Sequence, residues 1–194
     1  MRFVRYVVYN EKAIEWQDVP GYKATLKALL EEMKYRDIST YTEALIESVR
    51  SFCSNPRVLN VVIHISFSKT NKFNSTAVWR TMKMSQRWFL KLQQKDLSIP
   101  SDFNWPFFMK GVNMLLSMDH STSTSSVIWL LYQILHVIPS DIRKNLINSM
   151  VTSENFYRFF FHWSWNVRRS FYYFFYFQLH RILIDNKVAA HDMA

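Results

Sequence analysis

Two glycines, Gly21 and Gly111, serve a chain of 194 residues. Hairpins and tight turns need backbone at positive φ, where glycine is the default residue. A chain with two glycines has little means of building many hairpins, so the scarcity predicts an all-helical fold. It also excludes chemistry. Glycine-rich phosphate loops, dinucleotide fingerprints and nucleophile elbows need closely spaced glycines, and these two lie ninety residues apart.

Helix punctuation points the same way. Apolar periodicity, prolines and hydroxyl caps predict helices over about 2–16, 20–36, 40–53, 56–67, 75–94, 102–117, 126–138, 141–151 and 153–185. Thr40-x-x-Glu43 reads as a capping box, Ser101 as an N-cap, and 120–126 as a hydroxyl-rich loop. The 56–67 segment is rich in β-branched residues but has no hairpin partner nearby, which favours helix. Eight or nine helices with short connections suit an irregular helical bundle or an α-solenoid of the HEAT or armadillo kind. Several helix pairs run at about forty residues, near the period of those repeats. The chain opens in helix-forming sequence without a cap. That suits a piece of a longer helical protein at least as well as one free-standing domain over 1–194.

The apolar burden is concentrated near the C-terminus. Residues 156–177 read FYRFFFHWSWNVRRSFYYFFYF and hold fourteen aromatics out of the chain's 16 Phe, 10 Tyr and 7 Trp. A core, a partner or lipid has to cover that much ring surface. Arg158, His162, Asn166, Arg169, Tyr173, Tyr176 and His180 recur at spacings of three and four. This predicts one polar stripe on a continuous, mostly buried helix. Phe161, Trp163, Trp165, Phe171, Tyr172, Phe174 and Phe175 are then candidates for core or interface. Arg168 interrupts the apolar face and needs a partner. That partner is an anionic ligand or, more plainly, a carboxylate or helix-end carbonyls within the fold. Within this aromatic segment the longest uncharged run, 170–180, has eleven residues, against about twenty for a spanning helix. Contact with a lipid interface stays open.

The net charge of +9 is unevenly distributed. Residues 1–50 balance, 51–110 carry +7 and 111–194 carry +2. Within the basic third, Arg80, Lys83, Arg87, Lys91 and Lys95 step by three and four along one helix face. That ridge can dock an acidic protein segment or an anionic membrane surface; the plainer reading is a solvated face. Nucleic acid is the least favoured partner. No recognised binding motif accompanies the ridge, and only Trp88 lies among its cations.

Other chemistry is thin. Cys53 is alone, so no disulfide framework or cysteine metal cluster is expected, and a reducing, intracellular (cytoplasmic) compartment is the default expectation. The N-terminus acquires charge too early for a secretory signal. None of the six histidines has metal-site spacing, and no cofactor is implied. Asp119-His120-Ser121 is adjacent in sequence, whereas triads are defined by geometry. No catalytic residue is assigned, and no small-molecule substrate is identified. The expectation is a non-enzymatic helical scaffold or protein-interaction module. The alternative is a peripheral membrane protein that sets its aromatic, basic C-terminal helix at the lipid interface.

Four strings carry a family resemblance: Ser101-Asp102-Phe103-Asn104-Trp105, Asp119-His120-Ser121, Trp129-Leu130-Leu131-Tyr132 and, above all, Phe161-His162-Trp163-Ser164-Trp165-Asn166-Val167-Arg168. Together they resemble a domain of unknown function, numbered seventeen sixty-five, found mainly in long fungal and protist proteins. Its members are often labelled membrane proteins. The resemblance spans about 55–185 and implies a fragment or short relative of a much longer protein. It implies no activity, cofactor or catalytic residue.

Overall fold

Neutral side chains start most of the helices. Asn55 accepts the Arg57 amide proton and Pro56 occupies the first turn behind it. Asn74 accepts from Thr76 and Ala77, and Asn104 from Phe107. The protein is described by a computed structural model covering residues 18–179 other than Asp96 and Ser98. Nine α-helices are found among them: α1 (Tyr22–Tyr35), α2 (Glu43–Phe52), α3 (Pro56–Lys69), α4 (Ser75–Gln93), α5 (Trp105–Leu116), α6 (Ser121–Ile134), α7 (Ser140–Val151), α8 (Ser153–Phe160) and α9 (Trp165–Tyr173). Short 3-10 turns cover Ile38–Thr40 and Leu135–Val137, and a π-helical stretch, Phe174–Leu179, extends α9. The described residues contain no strand. The expected helix over 2–16, and the part of 153–185 beyond residue 179, lie outside the described residues.

The core is built around α6. Val127, Ile128, Leu130, Leu131 and Ile134 are all buried, as are Ser123 and Thr124 nearer its start. α4 and α9 lie closest to it and α5 packs alongside. α4 contributes Val78, Met82, Trp88, Phe89 and Leu92, and α9 contributes Val167, Ser170 and Phe171. These partners are distant in sequence: α4 and α9 both skip intervening helices to reach α6. The described residues thus form an all-helical bundle.

The N-terminal helices pack on α3 and α4. Tyr41 is buried and donates its hydroxyl proton to the Met33 carbonyl. Burial pushes its phenol up to about 12. The Lys69 ammonium donates to the carbonyls of Met33, Lys34 and Arg36, closing the C-terminus of α1. Across the core, Phe89 meets Phe103 and Phe108 edge-on at 5.8 and 5.6 Å.

The structure corrects the sequence reading at four places. The aromatic segment is not one coil. α8 ends at Phe160, the chain turns over 161–164, and α9 starts at Trp165. The turn is held by polar contacts: His162 Nδ1 accepts the Ser164 amide proton at 3.0 Å, and Arg168 donates to the His162 and Trp163 carbonyls at 2.6 and 3.1 Å. The polar stripe from Arg158 to His180 is thereby cut. Residues 121–126 are helix rather than loop, with His120 as the cap residue. α2 is capped by Thr42, not Thr40, and α5 by Asn104, not Ser101.

Candidate binding cleft

Three helices present polar stripes beside their buried faces. α4 gives Trp79, Lys83 and Gln86; α6 gives Thr122, Ser125, Ser126 and Trp129; α9 gives Asn166, Arg169 and Ser170. Steps of three and four keep each set on one side of its helix. Where the stripes converge they enclose a cleft of about 400 Å³ with Met82 and Leu130 also in its wall. The small side chains of Ser125, Ser126 and Ser170 help leave that volume open.

Its chemistry is cationic and aromatic. The Lys83 ammonium stands 4.8 Å from the centre of the Trp79 ring. Trp129 is braced edge-on by Tyr173 at 5.9 Å. Ser125 and Ser126 donate to the Thr122 carbonyl at 3.1 and 2.6 Å. Among the described residues, Gln86, Asn166 and Arg169 make no hydrogen bond or ion pair, so their donors stay available. No carboxylate lines the cleft. One reason is in the sequence: residues 48–95, which include all of α3 and α4, contain no Asp or Glu.

The expected ridge is divided. Arg80 turns inward and donates to the carbonyls of Ser39 and, at 2.8 Å, Tyr41. Arg87 pairs with Glu43 and, at 3.3 Å, with Glu47. Lys83 faces the cleft, and Lys91 and Lys95 have no ion-pair partner among the described residues. Two of the five cations thus hold α4 to the chain before α2 and to α2 itself.

The aromatic candidates also separate. Phe171 and Phe174 are buried, and Tyr172 and Phe175 half-buried. Phe156, Phe160, Phe171 and Phe175 form a ring cluster with centroid distances of 5.0 to 5.9 Å. Tyr172 donates its hydroxyl to the Phe160 carbonyl at 3.1 Å. By contrast, Phe161, Trp163 and Trp165 are 69%, 72% and 57% exposed, with Tyr157 beside them at 61%. Arg168 serves the turn carbonyls and lies 5.6 Å over Trp165. Its partners are carbonyls of the turn between α8 and α9.

Sequence reasoning did not single out Trp79, Gln86, Thr122, Ser125, Ser126, Trp129, Asn166 or Arg169 as site residues. Helical spacing could have grouped them within each element; only the tertiary fold joins the three groups. Elsewhere, His120 Nδ1 accepts from the Ser123 amide at 3.5 Å, so the Asp119-His120-Ser121 string marks a helix start. Burial pushes the Cys53 thiol well above its ordinary range, which keeps it protonated. Among the described residues there is no group of three or more metal-ligating side chains. No helix there is long and apolar enough to cross a membrane.

Comparison with known proteins matches the sequence to a family without an assigned activity. No curated protein and no solved structure matches the chain. The family described as "Protein of unknown function (DUF1765)" matches residues 59–179, a span that runs from α3 to the π-helical stretch and contains every residue of the cleft. That span exceeds half of the sequence, and the chain belongs to this family.

Proposed function

We propose that the protein is a non-enzymatic helical interaction module that holds an acidic segment of a partner protein in the α4–α6–α9 cleft. One observation carries this reading. Lys83, Arg169, Gln86 and Asn166 converge without internal hydrogen-bonding partners, and no carboxylate is present to neutralise them. Carboxylates of the partner would take the two cations and the amides, and its apolar side chains would lie on Trp79 and Trp129. Such an interface gains on-rate and specificity from charge and weakens with salt. The proposed setting is intracellular, where a lone buried Cys53 stays a thiol.

The test is fluorescence anisotropy with a labelled peptide that alternates Glu with Leu and Phe. Lys83→Glu with Arg169→Glu is expected to weaken binding by about tenfold or more. Lys91→Glu with Lys95→Glu changes the net charge equally away from the cleft and is expected to leave binding within about twofold. Equal losses from both pairs would reduce the effect to bulk charge and remove the proposal.

A second reading has its own support. Tyr157, Phe161, Trp163 and Trp165 form an exposed aromatic corner beside Arg158. Rings flanked by arginine suit the boundary between lipid headgroups and acyl chains. Vesicles of phosphatidylcholine and phosphatidylserine supply the second arm of the same experiment. Co-sedimentation lost on Trp163→Ser with Trp165→Ser, and kept in the cleft pair, would favour the corner.

A further inference from the structure

A second cavity lies on another side of α4. It is enclosed by α3, α4 and α5, holds about 200 Å³ and shares only Met82 with the cleft. Its wall is largely apolar: Phe67, Met82, Phe107, Met114 and Leu115. The two threonine hydroxyls in it are already satisfied. Thr70 Oγ1 bonds to the Ser66 carbonyl and to Thr81 Oγ1, both at 2.7 Å. Two cations complete the lining. Lys110 is exposed and Lys72 half-buried, and neither forms an ion pair among the described residues. Lys72 has only the Phe73 ring, at 5.0 Å.

The cavity owes its shape to Gly111. A Cβ there would come within 2.7 Å of Phe67 Cδ1. Without one, the Phe67 ring rests against the backbone of α5, and the space beside it stays open. Glycine is rare in this chain, and here it permits a close approach that any side chain would block. Methionine at Met82 and Met114 gives the wall adaptable surface.

We propose that this pocket binds a small amphipathic ligand: a medium-length acyl or alkyl chain ending in a carboxylate or phosphate. The apolar wall takes the chain, because apolar cavities admit apolar guests in preference to water. Lys72 and Lys110 take the head, with no acidic side chain in the lining to compete. The limited volume suits one chain rather than a two-chain lipid. This site is independent of the cleft reading, since none of its charged groups is shared with it.

The test uses the intact protein and three probes below their micelle concentrations: decanoate, decyl phosphate and decanol. Binding is read by isothermal titration calorimetry and by displacement of a dansylated fatty acid. One saturable site is expected, with either anion binding at least about tenfold tighter than decanol. A preference for decanoate would assign a fatty acid, and one for decyl phosphate a lipid phosphate. Lys72→Ala with Lys110→Ala should erase the advantage of the anions and leave decanol unchanged. Met114→Trp should fill the cavity and abolish binding of all three. Gly111→Ala should do likewise by displacing Phe67; should that variant not fold, Met114→Trp decides. Equal binding of decanol and the anions, or full binding by the Met114→Trp protein, would overturn the proposal. The cleft variants should bind all three probes normally, which separates this outcome from that of the acidic-segment reading.

Discussion

His162 ties together the two halves of the aromatic segment. Its Nδ1 accepts the Ser164 amide proton, and its own carbonyl accepts from Arg168. Burial pushes its pKa down from the ordinary 6.5, Asp119 opposes that, and Arg158 and Arg168 add to the lowering. The folded ring therefore takes a proton less readily than the unfolded one. The stabilisation is complete when both are neutral and is lost as pH falls through 6.5 toward the folded value. Urea unfolding between about pH 7.5 and about pH 5.5 should show this decline, and His162→Asn should flatten it. Asparagine can still accept from the residue two positions on, so the turn survives without the titration. Parallel curves for the two proteins would sink the idea. None of this was legible in the sequence, where His162 fell on a regular three-four pattern with Arg158 and Asn166. A pattern of polar residues records spacing and is blind to a side chain that replaces backbone hydrogen bonds.

Helix boundaries show why local signals succeed or fail. Asn55-Pro56 and Asn74-Ser75 start α3 and α4 close to where the sequence places them. The Thr40-x-x-Glu43 motif misleads because Tyr41 is needed in the core. Tyr41 is 2% exposed and its hydroxyl reaches Met33, so the helix begins later, at Glu43 behind the Thr42 cap. Thr42→Ala should cost about 1 kcal/mol by losing the bond from the Leu45 amide. Thr40→Ala, at an exposed 3-10 turn, should stay within about 0.5 kcal/mol. Comparing their urea midpoints checks both. The serine-rich start of α6 misled for a related reason. Such hydroxyls favour loops in isolation, but here Ser125 and Ser126 bond to a carbonyl one turn back and Ser123 and Thr124 are buried. Tertiary packing overrides propensity there.

For the molecule as a whole, α6 is the element the others depend on. Leu131 is fully buried in it. Leu131→Ala should cost about 2–5 kcal/mol, a large part of a typical domain's stability. Val61→Ala on α3, where the side chain is 43% exposed, should shift thermal unfolding little. Glycine scarcity made the all-helical class legible, because it bears on every turn at once. The cleft was not legible, since residues 79 to 170 meet only through the path of the chain. Charge adds one consequence. α3, α4, α5 and α6 carry no acid in their first turns. Each helix origin keeps the partial positive charge of its aligned peptide dipoles, roughly half a unit. Acetylating every lysine would strip away the ammonium groups and still leave four electropositive backbone ends. Enzymatic modification could thus dim this protein's attraction for anions without extinguishing it.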